Sequence, residues 1–344
     1  HNRKRGYKMI ATVSGVLFMA LASAGLIFIA KTFGGTVCML ISAILTLGLT
    51  IYFSARLIKG YLNTDQEKIE IGYWSWYKLF FWAIFTHPLL DCFTVYGTQL
   101  FAPFSNYRVA LNNISVADPA YTFPFLICLM VASLIARIYD KESNNAIDKS
   151  FKLSWTNYKL RSYVNATGII ISSLYLGWTF YNKAKVNKIM EQTLSDQNIK
   201  YSRYMTGPTI LNNLLWSATA ETDSSFYTGL YSFYDKEPNF KLFEISKNYD
   251  LIDYKGDDNV VNTLKWFSKD YYSVMKRKDG LIQINDMRYG TFDGENVDED
   301  SYIFRFVVDK DNEGYYQLQS AAGGPKRGSE EEIFDRLFTR IKGK

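Results

Sequence analysis

Two runs without a charged side chain, residues 9–30 and 35–55, constrain this chain more than any other feature. Each is about as long as a hydrocarbon core demands, roughly 20 apolar residues. Backbone in lipid has to close its own hydrogen bonds, so both are expected as membrane helices. Three further candidates follow at residues 74–98, 119–138 and 162–182. From about residue 200 the character changes: no comparable run occurs, and Asp, Lys, Tyr and Phe are abundant. The expected fold class is an α-helical transmembrane domain of about five spans followed by a soluble α+β domain with an antiparallel sheet.

The connections between the apolar runs set an orientation. Arg3, Lys4, Arg5 and Lys8 precede the first run, Arg56, Lys59 and Lys68 follow the second, and Arg137, Lys141, Lys149, Lys152, Lys159 and Arg161 separate the fourth from the fifth. The alternate connections hold only Lys31 and Arg108 as basic residues. Positive charge collects on the cytoplasmic side, so the chain leaves its fifth run on the outer side. The expected organisation is a polytopic membrane domain over residues 1–182, a helical stalk over 183–200 and an extracytoplasmic domain over 201–344. Ala20-Leu-Ala-Ser-Ala24 resembles a cleavage region, but the apolar run continues past it, which favours a retained helix over a signal peptide.

Within the last third, Leu214–Thr222, Phe226–Tyr234 and Lys241–Ser246 read as strands and Val260–Tyr271 as a helix. Tyr272–Arg277 and Leu281–Met287 flank Lys278-Asp279-Gly280, a hairpin signal. Tyr302–Val308 and Tyr315–Gln319 form a second such pair, and an amphipathic helix ends the chain over Ser329–Lys342. Cys38, Cys92 and Cys128 all fall in apolar segments, so no disulfide framework is indicated. The net charge of +5 is spread over short loops, which argues against a nucleic-acid partner.

The chemistry of the apolar half concentrates in the third run. His87, Asp91, Thr94 and Thr98 are spaced by four, three and four, one face of a helix. An ionisable pair at membrane depth is costly unless bound or paired, so His87 and Asp91 are candidate ligands for a divalent metal, Zn, Mn or Fe. The plain alternative is a hydrogen-bonded helix-packing pair. Thr94, Thr98, Arg108 and Asp118 are candidates for second-shell or substrate contacts, with the Arg108 fork suited to a phosphate or carboxylate.

The string Thr86-His87-Pro88-Leu-Leu-Asp91, with Thr94, Gly97-Thr98-Gln99-Leu100-Phe101, Pro103-Phe104-Ser105, Asp118-Pro119 and Tyr121-Thr122, resembles the bacterial membrane-bound metal-dependent hydrolases, the group of the LexA-regulated inner-membrane hydrolase. The resemblance continues at Asn212, Leu215-Trp216, Gly229, Tyr231-Ser232-Phe233 and Asn285-Asp286-Met287-Arg288-Tyr289-Gly290. It implies a bacterial inner-membrane location and a metal site in which His87 and Asp91 are joined by acidic and histidine motifs nearer the N-terminus. This chain departs there, with no acidic residue before Asp65, and the expectation is that sequence upstream of His1 carries those ligands, the alternative being that this member has lost them and with them the metal.

Two functions follow. One is a metal-dependent hydrolase at the outer face of the inner membrane, acting on a lipid-linked, phosphate or ester substrate. The other is non-enzymatic, a membrane-anchored extracytoplasmic binding domain. The lipid bilayer is a partner in both.

Overall fold

The computed structural model describes residues 72–145, 151–253, 256–291, 298–323 and 330–344. The expected spans at 9–30 and 35–55 lie outside the described residues, as does Ser329. The chain divides into two compact units, His1–Phe81 and Trp82–Lys344. Helix α1 (Tyr73–Asp91) begins in the first, where Trp76 stacks on Phe80 at 5.9 Å between ring centroids.

The second unit carries the rest. Helix α2 (Pro119–Asn145) and helix α3 (Phe151–Asp196) run antiparallel. Ser172 donates to the Tyr121 carbonyl at 2.8 Å, and the Tyr175 hydroxyl donates to Asp118 at 2.8 Å. One turn and more further along, a Cβ on Gly168 would sit 2.8 Å from the Cβ of Cys128. The missing side chain is what lets the two helix backbones approach, the small-residue contact typical of helices in lipid.

Only Pro119–Ile138 among the described residues is long and apolar enough to cross a membrane, a stretch of 20 residues. Five spans are therefore not supported by the described residues. The 162–182 stretch is helical, but Asn165, Thr167, Ser172, Ser173 and Thr179 dilute its apolar character. The 74–98 stretch is helical only to Asp91.

Past the apolar part, α3 continues without a break to Asp196, and its last turns are core rather than free stalk. Val186, Ile189, Met190 and Leu194, spaced by three and four, bury against Trp216, Ala218, Ala220, Tyr231 and Phe240. Those partners belong to a four-stranded antiparallel meander: β1 (Arg203–Pro208), β2 (Leu215–Glu221), β3 (Ser225–Ser232) and β4 (Lys241–Ser246). Alternation along β2 sends Trp216, Ala218 and Ala220 to the helix and Ser217 and Thr219 to the opposite face. There Thr219 donates to the Met287 carbonyl at 2.8 Å.

Met287 directly follows a strand of the second meander, which consists of β5 (Tyr272–Lys276), β6 (Ile282–Asp286), β7 (Phe304–Lys310) and β8 (Tyr316–Gly323). Helix α4 (Asn259–Ser268) covers it, placing Val261 and Leu264 on Val274, Ile284 and Val308. Asp258 caps α4 by accepting from the Val261 amide at 2.9 Å and ties it to β8 by accepting from the Tyr316 amide at 2.7 Å. The two sheets meet through Phe226, Ile245, Tyr271, Met287 and Tyr302. Helix α5 (Glu330–Ile341) returns to the first sheet, where Arg340 forks onto Asp235 at 2.5 and 2.7 Å.

Candidate functional site

Helix α1 stops at Asp91 for a local reason. The Thr94 hydroxyl donates to the Asp91 carbonyl at 2.8 Å and accepts from the Gly97 amide at 3.3 Å, while Gly97 adopts φ 69°. The chain folds back, and Thr98 exchanges backbone hydrogen bonds with Val109 at 3.0 and 2.9 Å. The four-residue polar stripe is therefore broken: His87 and Asp91 share the helix, whereas Thr94 and Thr98 belong to the compact segment after it.

His87 and Asp91 do approach each other, Nε2 to Oδ2 at 3.5 Å, with side chains 78% and 47% exposed. The remaining candidates are elsewhere. Asp118 is buried, and its carboxylate accepts from the Ala120 amide at 2.9 Å and the Tyr175 hydroxyl at 2.8 Å. Its carbonyl receives the Thr122 amide at 3.1 Å, so Asp118 caps α2, with Pro119 in the first helical position, where a missing N–H costs nothing. Thr94 is likewise buried in its turn. No group of three His, Cys, Asp or Glu side chains converges among the described residues. His87 and Asp91 offer two ligands on one helix, where catalytic zinc takes about three from the protein.

Arg108 is placed at the end of α4. It is 8% exposed, and its Nη2 donates to the carbonyls of Phe267 and, at 3.3 Å, Trp266, the open C-terminal end of α4. Its guanidinium lies 4.6 Å from the Trp266 ring centroid and 5.4 Å from that of Phe267. In return the Trp266 indole donates to the Asn106 carbonyl at 3.2 Å, and the Lys269 ammonium donates to the Arg108 carbonyl at 3.1 Å. A cation on a helix C-terminus opposes the partial negative charge there. Arg108 thus bolts the segment after α1 to the second sheet's helix.

A second seam joins the same segment to the first sheet. Asn113 donates to Thr179 at 2.7 Å, Asn213 donates to the Asn113 carbonyl at 2.8 Å, and Asn182 donates to Asn213 Oδ1 at 2.8 Å. These amides are buried, and the pairing satisfies the three donating amide nitrogens, while Asn113 Oδ1 stays without a protein partner. Sequence reasoning named none of them as functional. Asp286, the last residue of β6, and Arg288, in the turn after it, enter the sequence reading only as part of a matching string. Their side chains are fully buried and paired at 2.6 Å.

The comparison with family models decides the family. The model for the YdjM inner membrane protein matches residues 15–186, half of the 344-residue chain. The chain belongs to the YdjM inner membrane protein family. The YdjM match covers α1, α2, the segment between them and most of α3, and stops ahead of both sheets. It makes this a bacterial inner-membrane protein and leaves the two-sheet part without a counterpart in the YdjM model. No curated protein and no solved structure matches the chain.

Proposed function

We propose that this YdjM family member is a membrane anchor that holds a two-sheet binding domain on the outer face of the inner membrane. The observation that carries the reading is the use made of Arg108 and Asp118. Both stood as contacts for a substrate or metal, and both are instead built into the framework, Arg108 on the α4 carbonyls and Asp118 on Tyr175 and the α2 terminus. Antiparallel α2 and α3 bring residues 118 and 175 together beside the sheets and send Arg137, Lys159 and Arg161 the other way. Basic residues at that far end support a cytoplasmic α2–α3 connection and an outer two-sheet domain. In the full reading α1 and the two apolar runs before it complete a multi-pass base.

The test is cysteine accessibility in a chain whose Cys38, Cys92 and Cys128 are replaced by Ser. A membrane-impermeant maleimide labels Asp250→Cys once the outer membrane is opened, and Tyr158→Cys only after the inner membrane is permeabilised. The reverse pattern overturns the orientation.

The hydrolase reading keeps one observation of its own, the 3.5 Å approach of His87 and Asp91 with both side chains accessible. In that reading the pair contributes two ligands of a divalent site completed by residues outside those described. Metal analysis of the purified protein separates the two: stoichiometric Zn, Mn or Fe lost on His87→Ala supports the hydrolase, and equal trace metal in both proteins removes it.

A further inference from the structure

Three cations gather where the segment after α1 meets the second sheet, and they face one carboxylate. Arg108 sits on the end of α4, Lys269 is the residue that caps that end with φ 55°, and Arg288 follows β6. Arg288 and Arg108 both lie against the Phe267 ring, at 5.2 and 5.4 Å from its centroid. Asp286 is the carboxylate, and Arg288 consumes it through Nε at 3.0 and 3.2 Å and Nη2 at 2.6 Å. The α4 terminus offsets about half a further charge. A positive excess is left in a place that water reaches poorly.

The hydrogen-bond inventory agrees with the charge. Arg288 Nη1, the Tyr289 hydroxyl and the Thr291 hydroxyl are all buried without a protein partner. Arg288 and Thr291 are 4% and 3% exposed, so these are not surface groups turned to solvent. An orphaned buried donor is costly, more so when charged, and three fall within the four residues 288–291. The walls are aromatic: Tyr96 lies 5.8 Å from Tyr289, 5.9 Å from Phe304 and 6.2 Å from Phe267. Gly290, at φ 66°, leaves no side chain between this stretch and the Thr228 hydroxyl, which lies 3.0 Å from where its Cβ would stand.

We infer that Lys269 and Arg288, with the hydroxyl of Tyr289, form a binding site for a phosphate group beside the framework cation Arg108. Arg288 Nη1 supplies a charged donor of fixed direction, Lys269 supplies a mobile point charge, and the Tyr289 hydroxyl donates to a remaining oxygen. A phosphate carries the two features the site lacks, negative charge and several acceptors. Burial and the two arginines hold Lys269 down to about 8, a penalty that a bound anion relieves. The site stands on contacts inside the second unit and does not depend on which side of the membrane that unit occupies. Two sources share the chemistry, a free phosphate and the headgroup of an anionic phospholipid.

The experiment uses the full chain in detergent and in nanodiscs. Thermal unfolding is followed against inorganic phosphate, with chloride at matched ionic strength as control, and native mass spectrometry reads retained lipid from nanodiscs of phosphatidylglycerol or of phosphatidylcholine alone. Arg288→Lys tests the fork but leaves Asp286 less well paired, so Tyr289→Phe and Lys269→Met, which keep the core, carry the decision. Expected is a concentration-dependent rise in Tm with phosphate, or one retained phosphatidylglycerol, weakened about tenfold in each of these two variants, the scale of one charged hydrogen bond. A phosphate response without retained lipid assigns the free ion, and retained lipid that phosphate does not displace assigns the headgroup. The inference is overturned if neither phosphate nor phosphatidylglycerol differs from its control, or if folded Tyr289→Phe and Lys269→Met bind as the wild type does.

Discussion

Arg108 and Trp266 are 158 positions apart, and the guanidinium of the first lies 4.6 Å from the ring centroid of the second while Nη2 donates to its carbonyl. A lysine keeps the charge but neither the planar stacking surface nor the paired N–H geometry. Arg108→Lys is expected to lower unfolding stability by about 2 kcal/mol, combining a charged hydrogen bond with the lost cation–π contact. Denaturant unfolding of the protein in detergent measures it, and a midpoint equal to wild type removes Arg108 as the bolt between the two parts.

Asp118 and Tyr175 test the antiparallel pairing of α2 and α3. Asp118→Ala removes the acceptor of the Ala120 amide and leaves the Tyr175 hydroxyl without its 2.8 Å partner. The expected loss is about 2 kcal/mol, a helix cap together with an orphaned hydroxyl. Tyr175→Phe costs less, and in a double-mutant cycle the two effects overlap by about 1 kcal/mol or more. Strict additivity means the pair does not interact in solution.

The sheets were readable because local signals agreed with one another. Lys278-Asp279-Gly280 closes the β5–β6 hairpin with Gly280 at φ 89°, and the expected strand at Lys241–Ser246 is β4. β1 was not foreseen: Arg203-Tyr-Met-Thr-Gly-Pro208 contains Gly and Pro, and it is a strand because it pairs along β2 from Arg203–Glu221 to Pro208–Trp216. The site was less legible for a different reason. A spacing of four, three and four assumes that the helix continues, and Thr94 with Gly97 ends it. Arg108 read as a free fork because its acceptors are backbone carbonyls far along the chain, which no sequence pattern marks.

Lys269 makes a prediction in pH. Its folded value near 8 lies below the unfolded lysine value of about 10.4, so between the two the unfolded chain binds more protons. Stability contributed at this position therefore rises as pH increases from about 8 to about 10, and below about 8 the full penalty of the buried ammonium is present. Because Tyr96 and Tyr289 face the same cations, the comparison is wild type against Lys269→Met rather than one protein alone. The stability gap should favour the variant most at pH 7 to 8 and close toward pH 10. A gap independent of pH means that Lys269 titrates like a solvated lysine.

Two glycines should respond to alanine with opposite signs. At Gly97, φ is 69° and a Cβ would stand 2.5 Å from the Val109 carbonyl oxygen and 2.7 Å from the Ala110 Cβ, so backbone and sterics both resist. Gly97→Ala is expected to cost about 1–3 kcal/mol and to open the Thr98–Val109 pairing that presents Arg108 to α4. At Gly177, inside α3, nothing lies within 4 Å of the added carbon, and Gly177→Ala should gain roughly 0.5–1 kcal/mol from helix propensity. Limited proteolysis across residues 98–109 with thermal unfolding distinguishes them: Gly97→Ala becomes cleavable and melts earlier, while Gly177→Ala stays intact and melts later. Equal behaviour of the two variants would show that the segment after α1 is not held in the left-handed turn on which the Arg108 contact depends.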